Sequence, residues 1–131
     1  RLGARGLLTL GVLAGGLRWT VCGFADELTV IYPVQMLHGV TVTGLLLGGP
    51  LYLDAVVPKR LRSTGQALLS VVGMGIAGMA SNIGSGWLLE HMGPDAPYIV
   101  GGIGALVLGC LVPWILPAPE EIPVRDGEGA D

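Results

Sequence analysis

Charge is scarce in this chain. Of its 131 residues only 13% are Asp, Glu, Lys or Arg, against about 25% in an average soluble domain. Aromatic residues are scarcer, at 5%, with a single Phe. A soluble domain needs a solvated charged surface, and this composition does not supply one. The formal net charge of −3 comes largely from acidic residues near the C-terminus and gives no reason to expect nucleic acid as a partner. Cysteine is limited to Cys22 and Cys110, each in an apolar stretch where a thiol acts as a small hydrophobe. They form neither a disulfide framework nor a set of metal ligands. No nucleophile–base pair, phosphate-binding loop or zinc-protease motif is present. The glycines at Gly73 and Gly75 lie inside an apolar run with no strand before it, so they are not a dinucleotide fingerprint. The expectation is a protein that is not an enzyme and uses no cofactor or metal.

What the chain has in abundance is apolar residues and glycine. Hydrophobic residues make up 51%, glycine numbers 23, and the mean hydropathy is +0.68. Glycine weakens helices in water but is common where membrane helices pack closely. The expected class is all-α: a polytopic membrane protein with four transmembrane helices. The spans are expected at about 6–24, 28–53, 64–89 and 98–116. Residues 1–117 then form a transmembrane region in the lipid bilayer, and 118–131 form a polar, acidic tail expected to be disordered. Residues 1–23 have the polarity of a signal peptide, but no small-residue cleavage site follows and Arg18 interrupts the run. The chain begins at Arg1 without a methionine and reads as a fragment of a longer open reading frame.

The connections set the topology. Asp26 and Glu27 sit in a turn too short for anything but an antiparallel hairpin between the first two spans. Pro50, near the inner end of span two, is expected to bend the helix there. In span three, Gly73, Ala77, Ser81 and Ser85 recur every four residues, a stripe that lets another helix come close. Six of the seven basic residues, Arg1, Arg5, Lys59, Arg60, Arg62 and Arg125, fall on one side of such a four-span arrangement. The positive-inside rule then puts both ends of the chain in the cytoplasm, and the expected location is the plasma (inner) membrane. Lys59, Arg60 and Arg62 read as orientation determinants that touch lipid headgroups.

The seventh basic residue, Arg18, is a misfit. It stands inside the first span, where an arginine costs about 3 kcal/mol or more. It either snorkels to the outer headgroups or faces an aqueous cavity, pairing with a carboxylate or an anionic solute. Span two carries Gln35 and His38, which lie within one turn, at i and i+3, and so point to nearly the same side. Gln35 can both donate and accept, as sugar or nucleoside recognition requires. His38 can hydrogen-bond a hydroxyl or relay a proton. Either residue also serves as an interhelical clamp. Tyr32 and Thr41 flank this face, and Asn82 of span three is a further cavity-lining candidate.

The pattern is familiar as a whole. It runs from Leu17-Arg18-Trp19 through Gln35-Met36-Leu37-His38-Gly39 to the basic loop Pro58-Lys59-Arg60-Leu61-Arg62-Ser63-Thr64-Gly65-Gln66. A glycine-rich helix ending in Gly84-Ser85-Gly86-Trp87 and a turn at Gly93 complete it. Residues 5–117 resemble the C-terminal end of major facilitator superfamily transporters, closest to the oligosaccharide and nucleoside proton-symporter branches around lactose permease. The resemblance implies helices nine to twelve of a twelve-helix fold, with the N-terminal helices missing from this chain. It implies a secondary transporter that moves a small polar solute by alternating access, with a proton as coupling ion. Arg18, Gln35 and His38 then take the substrate-binding or proton-coupling positions. The interval from Arg18 to His38 matches the lactose-permease pattern. That pattern has a lysine three residues before the histidine and a glutamate three after it, where this chain has Gln35 and Thr41. The alternative is a non-transporting four-helix membrane subunit or scaffold, in which Arg18 and His38 hold helices together.

Overall fold

The computed structural model describes residues 3–118. They form six α-helices: α1 (Ala4–Phe24), α2 (Leu28–Val34), α3 (Leu37–Val56), α4 (Arg62–Ser70), α5 (Ala77–Met92) and α6 (Ala96–Ile115). No strand occurs among the described residues. A 3-10 turn at Lys59–Leu61 leads into α4, and a π-helical stretch at Val71–Ile76 joins α4 to α5. Four segments are long and apolar enough to cross a membrane: Ala4–Phe24, Leu28–Val56, Lys59–Met92 and Ala96–Ile115. The protein is therefore an all-α integral membrane protein. The tail expected to be disordered lies, from residue 119 on, outside the described residues.

Local chemistry sets most of the helix ends. Gly93 takes φ +100° and stops α5, because that conformation strains any residue with a Cβ. Pro97 sits in the first turn of α6, where its missing N–H breaks no helical bond. Span two departs from a single rod. Pro33 lies inside α2 and cannot donate to the turn before it. Around it the backbone switches to shorter i→i+3 bonds, Met36 N to Pro33 O at 3.2 Å and His38 N to Gln35 O at 2.9 Å. The α-helix is interrupted at Gln35 and Met36. Pro50 has the milder outcome, since α3 runs through it without interruption to Val56.

Packing is arranged around α1, which lies along both α3 and α6. The buried residues of these helices are all small: Gly11, Gly15 and Gly16 of α1, Gly44 and Gly48 of α3, and Gly102 and Gly109 of α6, among others. Large side chains point outward, as with Leu46 at 56% exposure and Ile83 at 73%. This inverts the soluble pattern. In lipid, apolar side chains gain nothing by turning inward, and helices associate through close backbone contact instead. At the α1–α3 seam a Cβ on Gly11 would stand 2.8 Å from the Gly44 Cα. At the α1–α6 seam a Cβ on Gly16 would stand 2.7 Å from the Leu106 amide nitrogen. Neither distance leaves room for a methyl group.

Span three is different. Its most apolar stretch has no buried residue among the described ones. Gly73, Gly75, Gly78, Gly84 and Gly86 have open space where a Cβ would go. Of the small-residue stripe, Gly73 lies in open space, while Ser81 and Ser85 border a groove shared with Trp19 of α1 and Tyr98 of α6.

At the end of the bundle that holds the 58–62 loop, polar side chains tie the helices. Arg5 Nη1 donates to the carbonyls of Leu116 (3.2 Å) and Pro113 (3.4 Å). These belong to the last turn of α6 and the residue after it, where carbonyls lack helical partners and a cation is favoured. Tyr52 of α3 donates to the Pro117 carbonyl at 3.1 Å. Gln66 Nε2 donates to Asp54 Oδ1 at 3.1 Å, linking α4 to α3.

Candidate functional site

The site forms where α1 passes the break in span two. Arg18 lies on α1 about six residues before its end at Phe24. Gln35 stands at the interruption between α2 and α3. Arg18 Nη1 donates to Gln35 Oε1 at 2.9 Å, a charge-assisted bond and so stronger than a neutral one. The amide's other end, Nε2, points to Cys22 Sγ at 3.9 Å, a long and weak contact with a soft acceptor. Cys22 is one helical turn beyond Arg18 on α1, so the three side chains share one face of the hairpin.

Arg18 is half-buried, and its Nε is buried without a hydrogen-bond partner among the described residues. The guanidinium carbon also lies 5.9 Å from the centre of the Trp19 ring, within range of a cation–π contact. Both partners are neutral. Asp26 and Glu27 occupy the turn beyond α1, and Glu27 Oε2 accepts from Thr29 Oγ1 at 3.2 Å. The hydrogen-bond and cation–π partners of Arg18 within the described chain are thus Gln35 and Trp19, not a carboxylate.

The other expected site residues are dispersed. His38 is exposed, one turn past the break, and its side chain has no hydrogen bond among the described residues. Tyr32 is also exposed, at 68%. Arg18 and Gln35 are thus in direct contact, while His38 and Tyr32 face away from the helices described. Thr41 turns toward α1: its Oγ1 donates to the Leu37 carbonyl at 3.0 Å and its methyl faces Gly15. It lines a cavity of about 140 Å³ with Gly11, Gly15, Trp19 and Leu45. Asn82 belongs to a separate groove of about 370 Å³, with Trp19, Ser81, Ser85 and Tyr98 among its walls. Arg18 and Gln35 are not among the walls of this groove.

Two features went unread in the sequence. Cys22 counts as an inert hydrophobe by composition, yet its i+4 spacing from Arg18 places it in the cluster. The Arg18–Gln35 pairing also had a signal. Arg18 lies eight residues before Asp26 and Gln35 nine after it, so a hairpin turning there brings them to similar depth.

A bundle of four helices long and apolar enough to cross a membrane defines a class of protein, a polytopic membrane protein. Comparison with known proteins gives the family. Residues 1–100 match the model of the MFS_1 like family, and the chain belongs to that family, whose members are transporters rather than enzymes. It is 32% identical over 117 residues to the maltose permease of Geobacillus stearothermophilus, covering 88% of this chain and 29% of that one. It is 28% identical over 139 residues to the raffinose permease of Escherichia coli, covering 98% and 32%. A further relative, the uncharacterized transporter YwbF of Bacillus subtilis (strain 168), is 28% identical over 102 residues, covering 75% and 25%. The chain thus spans about a quarter to a third of the length of these relatives. No solved structure matches it.

Proposed function

We propose that this chain supplies helices nine to twelve of a twelve-helix secondary transporter that carries a small polar solute, a sugar or nucleoside, by alternating access. The observation that carries this reading is the bond from Arg18 to Gln35 inside the bilayer, in a chain similar to permeases of maltose and raffinose. An arginine held by an amide at a helix break presents donors for solute oxygen atoms, and broken helices are where transporters place their sites. His38, exposed one turn away, is the group that exchanges a proton or bonds a solute hydroxyl. The chain has Thr41 where the lactose-permease pattern has glutamate. Proton coupling therefore uses His38 or a carboxylate from the preceding helices. Both ends of the described segment face the cytoplasm of the plasma (inner) membrane, as the basic residues Arg5, Lys59, Arg60 and Arg62 direct.

The test is uptake by the full-length protein in inverted and right-side-out vesicles, using labelled maltose, raffinose and uridine, with and without an imposed pH gradient. Uptake of at least one, accelerated by the gradient, is expected. Arg18→Ala and His38→Ala are each expected to abolish it while leaving membrane insertion intact. Wild-type uptake in both variants would overturn the site, and absence of uptake of all three solutes would overturn the solute class. A reporter fused at the C-terminus that reads periplasmic would overturn the orientation.

A further inference from the structure

The carboxamide of Gln35 is engaged at both ends. Oε1 accepts from Arg18 Nη1 at 2.9 Å and Nε2 points to Cys22 Sγ at 3.9 Å. The strong bond fixes which end faces the arginine, because an amide NH₂ cannot accept from a guanidinium. Arg18 takes one of the two lone pairs of Oε1, so a solute donor bonding there would have to share the oxygen with the guanidinium. The backbone also sets where Gln35 sits. The Pro33 interruption gives the Gln35 amide a bond shared between the Ile31 carbonyl at 3.1 Å and the Tyr32 carbonyl at 3.2 Å. Arg18 itself, with its Nε buried and unpartnered, has four χ angles and no carboxylate to fix them among the described contacts. What orients its guanidinium is the Gln35 carbonyl on one side and the Trp19 ring on the other.

We propose that Gln35 is a positioning residue: it aims the Arg18 guanidinium and does not itself bind the solute. Cys22 marks the far end of this arrangement. Its thiol touches the amide only while Gln35 Oε1 is held by Arg18. The proposal rests on the transport reading given above, and two readouts keep the two separable.

The first readout needs no solute. Full-length protein in membranes is treated with N-ethylmaleimide, and alkylation of Cys22 is followed by mass spectrometry of its peptide. Cys110, exposed on α6, serves as the internal control. Arg18→Ala and Gln35→Ala are each expected to raise the Cys22 rate several-fold without changing that of Cys110, and the double variant is expected to react no faster than either single one. Such non-additivity is the mark of two groups acting as a unit. An unchanged Cys22 rate in either single variant would overturn the proposal.

The second readout is transport of labelled maltose or raffinose, whichever the wild type takes up. Gln35→Ala is expected to raise KM about tenfold, the loss of a hydrogen bond to a charged group, with a smaller change in kcat. Gln35→Glu keeps the acceptor for Arg18 but has no N–H to offer a solute, and it is expected to restore KM to within about threefold of wild type. If Gln35 bound the solute as a donor, Gln35→Glu would be as impaired as Gln35→Ala, which would overturn the proposal. If the wild type takes up neither sugar, the transport reading loses its sugar assignment, and the alkylation series still decides whether Gln35 aims Arg18.

Discussion

The glycines of α1, α3 and α6 and those of span three look alike in the sequence, yet the close backbone approaches fall among the first group. Gly11 meets Gly44 and Gly16 meets Leu106 at distances that exclude a methyl group, whereas Gly73, Gly78 and Gly84 face open space. The difference teaches that small-residue spacing states that a helix can be approached, and not which helix approaches it. Three helices of this chain use that capacity on one another. The α4–α5 rod holds it unspent, joined to the rest by its connections, a shallow contact with α6 and the Gln66–Asp54 bond.

Substitutions at the seams and on span three test this contrast. The largest effect is expected from Gly44→Leu, which drives a branched side chain into the Gly11 backbone. It should cost about 3 kcal/mol, read as an earlier loss of helical signal when the purified full-length protein is titrated with SDS. Arg5→Ala removes the donor that holds the end of α6 to α1 and should cost about 1 kcal/mol by the same titration. Gln66→Ala cuts the side-chain bond between α3 and α4 and should cost somewhat less, about 0.5–1 kcal/mol, because Asp54 is half-buried and keeps access to other donors. The smallest effect is expected from Gly78→Leu in the 131-residue segment alone, within about 0.5 kcal/mol of wild type. In the full-length protein, a larger cost for Gly78→Leu than in the segment would measure how closely another helix covers span three.

Much of the fold was legible because it depends on composition. Long apolar runs separated by Asp26-Glu27, Lys59-Arg60 and Gly93-Pro94 specify four rods whatever their neighbours are. The interruption at Gln35 and Met36 was not legible on those terms. Pro33 stands close enough to the start of the span to pass as a first-turn proline, yet in the structure it lies near the end of a short helix of its own. That break matters for the site. At the break Gln35 reaches Arg18, while His38, three residues on, is exposed and makes no side-chain hydrogen bond among the described residues. Asn82, a cavity-lining candidate from the sequence, lines a groove with Tyr98, a neighbour that its place along span three does not reveal.

The double seam of α1 also imposes an order on biogenesis. The face carrying Gly11 can close as soon as α3 has entered the bilayer. The face carrying Gly16 and Gly23 must wait for α6, whose residues leave the ribosome some eighty positions later. Through that interval α1 presents an open glycine seam to any helix nearby, and Arg5 has no carbonyls at the end of α6 to hold. The bonds from Arg5 and Tyr52 to the end of α6 form only once that helix is in place.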